Sequence, residues 1–295
     1  MRKSLFLLAL MTTLVVGSVF GQFRERVNLS LFAGGYAAQQ NANNNGYWYG
    51  AYIDYMPIKT ETGWLLGFCA VGDRVYFKSN TTLSRYDGSS DEMGIGLAGG
   101  KWSEFLTQKY SGYFGANLML KSVRDNGTGK SVQPNHELGV YDAKQEDLIL
   151  SGELNINLLK AFGIRENLLP RSQLKLTYQK PIKSEKTSFW NDAPIKESMI
   201  WNKSAFGAEI KQSILQIGRG NTLVEPKIMI GYHHYVGDDS QWLSAGPEIA
   251  LKKRGWDDFL SIYCFWKQQT GSFEPNLNSG QFVFGINLMP FNIRR

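Results

Sequence analysis

The chain is expected to be all-β, built from strands with one apolar and one polar face, and three observations carry that expectation. The stretch Ser279 to Phe291 reads S-G-Q-F-V-F-G-I-N-L-M-P-F, with Phe282, Phe284, Ile286 and Leu288 on one face and Gln281, Gly285 and Asn287 on the other. Successive strand side chains point to opposite faces, so this pattern specifies a strand. The same period recurs inside the chain: Leu148, Leu150, Leu154, Ile156 and Leu158 oppose Ser151, Glu153, Asn155 and Asn157, and Leu174, Leu176 and Tyr178 oppose Gln173, Lys175, Thr177 and Gln179. A helix does not keep period two for so long. Finally, no apolar run after Gln22 approaches the roughly 18 residues that span a bilayer as a helix. The composition is polar on average (mean hydropathy −0.28) yet 13% aromatic with 31 Gly.

The elements follow in order. Arg2 and Lys3 precede an apolar run from Leu5 to about Phe20, and Val19 and Gly21 are small enough for cleavage before Gln22. Residues 1–21 therefore read as a secretory signal peptide, and residues 22–295 as one unit. Loss of Arg2 and Lys3 takes the formal charge from +6 to +4, since the segment holds no acid. No Cys follows the cleavage site, so a lipid anchor is not expected. Alternation predicts about twelve strands. They centre on Val27–Tyr36, Tyr47–Met56, Trp64–Phe77, Met93–Trp102, Gly112–Lys121 and Leu148–Leu159, and then on Ser172–Lys180, Ile200–Ile214, Thr222–Val236, Gln241–Lys252, Phe259–Gln268 and Gly280–Phe291.

The connections between these strands sort by parity. Ser122–Asp147 and Pro181–Met199, the fifth and seventh, are the longest, and the third, Lys78–Asp91, is also long. Pro57–Gly63, Leu215–Asn221 and Lys253–Asp258 are short turns, while Lys160–Arg171 is longer, with room for a helical turn. All eight Trp fall near strand ends. Trp48, Trp190, Trp201, Trp242 and Trp266, with Tyr47, Tyr49, Tyr76, Tyr232 and Tyr235, gather at one end; Trp64, Trp102 and Trp256, with Tyr55, Tyr110, Tyr113 and Phe291, gather at the other. Two such girdles are what two membrane–water boundaries demand.

An aromatic-rich alternating strand at the C-terminus of a chain that starts with an export signal resembles the closing strand of Gram-negative outer-membrane β-barrels. The resemblance is to a class. It implies a single transmembrane antiparallel barrel of about twelve strands (roughly ten to fourteen), with both termini periplasmic. It also implies location in the cell outer membrane, contact with outer-membrane lipid and lipopolysaccharide, and recognition by the barrel-assembly machinery. Another envelope protein is a further candidate partner.

With the lipid face so defined, Glu153, Lys175, Glu209, Lys211, Glu225, Lys227, His233 and Glu248 are expected on the inner face. Lys facing lipid at mid-depth would cost about 2–4 kcal/mol. The signs alternate from strand to strand, which predicts a ladder of cross-strand ion pairs. His234 should point outward, and His136 should sit in a solvated loop. A Ser two residues after a His would place nucleophile and base on one strand face. Tyr235 and Val236 stand there instead, so no catalytic residue is expected. Gly94-Ile95-Gly96-Leu97-Ala98-Gly99 matches G-x-G-x-x-G without the helix that a dinucleotide site needs. Asp125-Asn126-Gly127 and Asp238-Asp239 lack the full ligand spacing of a calcium loop and read as turns.

No cofactor or metal is expected. Cys69 and Cys264 should be free thiols. The basic residues form no stripe, so no nucleic acid is expected. Lys183, Lys186 and Lys196 stand where lipopolysaccharide phosphates would reach, diluted by Glu185, Asp192 and Glu197. The leading functional expectation is a narrow channel or transport-related barrel with a charge-lined lumen. The alternatives are a non-conducting structural or secretion-partner barrel and, behind both, an outer-membrane hydrolase.

Overall fold

The computed structural model describes residues 26–38, 45–60, 64–80, 84–101, 114–133, 136–158, 172–190, 193–194, 204–218, 222–236, 241–253, 258–270 and 280–294. The strands are β1 (Arg26–Ala38), β2 (Asn45–Lys59), β3 (Trp64–Asn80), β4 (Ser84–Lys101), β5 (Phe114–Gln133), β6 (His136–Asn157) and β7 (Ser172–Trp190). After the two-residue β8 (Ala193–Pro194) come β9 (Ala205–Ser213), β10 (Thr222–Tyr235), β11 (Gln241–Lys253), β12 (Asp258–Thr270) and β13 (Gln281–Arg294). Each long strand pairs antiparallel with its neighbour, β6 pairs β7, and β1 pairs β13 from Arg26↔Arg294 to Ala38↔Gln281. The twelve long strands thus close on themselves, and β8 only extends the edge of β7. Closure leaves no sheet edge, which is the condition for a β-sheet to stand in lipid. We call the end where Arg26 meets Arg294 the base and the opposite end the rim.

The outer face is apolar because period two puts the apolar set there. Phe282, Phe284, Ile286 and Leu288 are 52%, 57%, 43% and 39% exposed, and Leu97, Ile95 and Met93 on β4 are more so. This band stops at one level. Above Leu120 on β5 the outward residues become Ser122, Arg124, Asn126 and Thr128. At that level Arg74 pairs with Asp91 and Arg124 with Glu146, each at 3.1 Å. Tyr49 stands beside Arg74 in register, and the Arg74 guanidinium lies 4.8 Å from the Tyr76 ring centre. A row of charge and aromatic rings directly above an apolar band marks a lipid–water boundary.

The expected long connections are corrected here. Lys78–Asp91 and Ser122–Asp147 are not loops: β3 pairs with β4 as far as Asn80↔Arg85, and β5 with β6 as far as Gln133↔His136. Much of Pro181–Met199 is likewise strand, with β7 pairing β6 up to Trp190↔Tyr141. These strands rise past the boundary as a wall on one side of the barrel, about 30 Å tall on β5 at the usual rise per residue. Both faces are polar there, so no apolar period marked the segment as strand. His136 accordingly begins β6, and Asp125-Asn126-Gly127 lies within β5 and forms no turn. Trp48 and Trp242 are placed at the rim as expected but share the inner-face parity of Asp54 and Glu248 rather than that of the outer girdle. Residues 1–25, Lys160–Arg171, Trp102, Tyr110, Tyr113, Lys196, Trp201, Asp238, Asp239 and Trp256 lie outside the described residues. Cys69 and Cys264 are free, on β3 and β12.

Candidate functional site: the barrel interior

The interior has two walls of different chemistry. On β12, β13 and β1 to β5 it is built around apolar side chains and rings, with isolated polar groups such as Asn28, Asp54 and Ser261 among them. Met56, Cys69, Ala98 and Met119 form a buried cluster flanked by Tyr52, Leu65 and Val71. Around β1, rings lie across glycines that face them in register: Trp48 over Gly34, Phe32 over Gly50, and Tyr263 over Gly285. A Cβ on Gly34 would stand 2.4 Å from the Trp48 ring, and one on Gly285 2.3 Å from the Tyr263 hydroxyl. Glycine is what lets these rings lie flat against the sheet.

The other wall, from β6 to β11, is ionic. Lys175 pairs with Glu153 at 2.8 Å, and Lys211 with Glu209 at 3.6 Å and with Glu248 at 2.8 Å. Lys227 reaches Glu248 at 3.4 Å. Nearer the base Lys252 pairs with Glu225, which also accepts hydrogen bonds from Ser213 and Gln216. The seven expected charged residues therefore each take part in an ion pair on this wall. Sequence reasoning missed Lys252, although it shares the strand face of Glu248 and Ala250. Burial deepens toward the base: Glu225 is 0% exposed, while Lys227 and Glu248 are 4% and 3% exposed. An uncompensated charge in such a place is prohibitive, and the pairing is what makes it tolerable.

The basal half is filled. Buried residues come from β1 to β6 and β9 to β13 alike, including Asn28, Asp54, Cys69, Asn157, Ser213, Ala250 and Ser261. Gln173, Lys211, Ser213, Glu225, Lys227 and Lys252 converge without leaving space for a water molecule.

Toward the rim the packing opens into a cavity of about 310 Å³, lined from β5, β6, β7, β9, β10 and β12. His233 and Lys267 both line it. The His233 ring covers Gly207 beside Thr177, so no Cβ fits at Gly207. His234 faces outward, its ring 5.0 Å from that of Phe206. On the tall wall, beyond the lipid boundary, Asp125 and Asp147 are buried side by side, and Gln145 donates to Asp147 at 2.5 Å. Burial, and then the charge of Asp147, pushes the Asp125 carboxyl up to about 6. At the exposed edge the Lys183–Glu185 hydrogen bond holds the lysine above its ordinary range and the glutamate below its own.

A closed antiparallel barrel with an apolar outer band, ringed by charge and aromatics, is the architecture of outer-membrane β-barrels. Among the solved structures that share it are two autotransporter domains. The chain is similar to the β domain of the Bordetella autotransporter BrkA (TM-score 0.51, 10% identity, 90% of this chain and 98% of that one). It is also similar to the translocator domain of the autotransporter NalP from Neisseria meningitidis (TM-score 0.52, 9% identity, 97% of this chain and 96% of that one). At such identities the likeness is one of fold. No protein-family profile matches the chain, and no curated protein matches it.

Proposed function

We propose that the protein resides in the cell outer membrane with its base, where the first strand begins and the last one ends, on the periplasmic side, and that its lumen is closed at that side at rest. It then belongs with the non-conducting barrels, presenting a rim cavity and a tall wall to the outside. The observation that carries this is the filled basal half, where inward side chains of nearly every strand are buried. An open aqueous pore would leave them wet. A second reading, a narrow transport channel that opens from this state, is favoured by the charge array and the cavity above it, since a paired polar lining separates more readily than a dry apolar one. Planar-bilayer recording of the folded chain tests the choice. Silence at low voltage is expected; stepwise conductance would overturn the closed-lumen reading and promote the second.

A further inference from the structure

The inner lysines are not alike. Lys121 pairs with Glu92 at 2.6 Å, and Lys175, Lys211, Lys227 and Lys252 each meet a glutamate. Lys267 is the exception: among the described residues it has no carboxylate partner, and its ammonium lies 4.0 Å from the centre of the Trp242 ring. A ring face attracts a cation but does not neutralise it. Of these lysines, Lys267 and Lys121 join His233 at the rim cavity, and the charge of Lys121 is already answered.

Two further groups on the cavity wall want partners. Ser151 Oγ and Asn117 Oδ1 are buried without a hydrogen bond to any protein atom in the structure. Buried polar atoms are normally satisfied, so an orphaned pair beside a void points to an occupant. Thr177 and Tyr235 add hydroxyls to the same lining. The volume, about 310 Å³, is at the small end for small-molecule sites.

We propose that this cavity binds a small hydroxy-carboxylate. The carboxylate neutralises Lys267, and a hydroxyl, being both donor and acceptor, serves Asn117 Oδ1 and Ser151 Oγ at once. A plain inorganic anion would answer the lysine and leave the other two atoms orphaned; a neutral sugar alcohol would do the reverse. The proposal stands on the cavity alone and holds whether or not the lumen conducts.

The test is isothermal titration of the full chain folded in detergent micelles, with sodium gluconate and with sorbitol, which matches gluconate in carbon count but lacks the charge. Saturable gluconate binding on the order of 1 mM or tighter is expected, with sorbitol at least about tenfold weaker. Lys267→Met should weaken gluconate about tenfold, to the level of sorbitol, while Lys78→Met on the outer face changes nothing. Removing Lys267 orphans no carboxylate, so that variant folds, and its gel shift on heating confirms it. Equal binding of gluconate and sorbitol, no saturable heat up to about 100 mM, or undiminished binding by Lys267→Met would each overturn the proposal.

Discussion

The two inner walls present the same surface to lipid and solve opposite problems inside. From β12 through β1 to β5, rings lie over glycines around a methionine–cysteine cluster, and the charges are scattered: Asp54 accepts from Asn28 at 3.3 Å, Lys121 pairs with Glu92 at 2.6 Å, and Lys267 lies over the Trp242 ring. From β6 to β11 the same depth is filled by lysines and glutamates in contact. Apolar packing is tolerant of imperfect fit and gains from contact area; ion pairing is tolerant of nothing, because each member is stable only through the other. The lesson is that inward-facing polarity in a barrel is not evidence of water. It is a second way of making a core.

That comparison can be broken most forcefully on the ionic wall. Glu248→Ala leaves Lys211 and Lys227 facing an emptied site, and should cost about 3–5 kcal/mol in denaturant unfolding from micelles. Lys227→Met combined with Glu248→Met should recover most of that loss. A double variant as damaged as the single one would show that the array is not paired in the folded barrel.

The next effect concerns the outer face, where the walls should not differ. Ile230→Lys on the ionic side and Ile286→Lys on the apolar side should each cost about 2–4 kcal/mol. Unequal costs would mean that one side is shielded from lipid. Smaller again is Gly34→Ala, which pushes the Trp48 ring out of place for about 1–3 kcal/mol, the usual cost of overpacking. The neighbouring Ala33→Gly points outward and should remove less. A near-neutral Gly34→Ala would show the apolar wall to be looser than its contacts imply.

The smallest effect separates the tall wall from both. The Asp125 carboxyl titrates near 6 in the folded chain, above its ordinary value. The folded state therefore binds its proton more tightly than the unfolded state does. Stability contributed there is full at low pH and declines as pH rises through about 6. Protection factors in the β5–β6 extension, which divide out the base-catalysed rise of intrinsic exchange with pH, should fall between about pH 4 and about pH 7, and Asp125→Asn should abolish that fall. Protection factors that are flat with pH would remove the argument.

What was legible in the sequence was whatever obeyed period two against a single apolar face. Phe282 to Leu288 and Leu148 to Leu158 announced their outer sides, and once that parity was set, Glu153, Lys175, Glu225 and Lys227 had nowhere else to point. The tall wall escaped because Asp125, Asn126, Gly127 and Thr128 are polar on both faces and carry turn chemistry, while their pairing depends on register with β4 and β6. The apolar wall's construction was equally hidden: that Trp48 meets Gly34 and Tyr263 meets Gly285 is a fact about cross-strand register. Lys267 was unreadable for a subtler reason. A lysine's lack of a partner is a property of its neighbours, and W-K-Q-Q-T names none of them.

The seam between β1 and β13 has a consequence for how the molecule comes into being. Ser30 on β1 meets Asn287 on β13 at 2.5 Å, across 257 positions of sequence. Until β13 has been made, β1 has one neighbour and an unpaired edge, and every apolar side chain destined for lipid is without its solvent. The slowest contact to form is thus also the one on which the others depend for closure, which is the order of events that makes a chain aggregate when left alone. In a barrel of this design the free edge of β1 stays open until the last strand has been made.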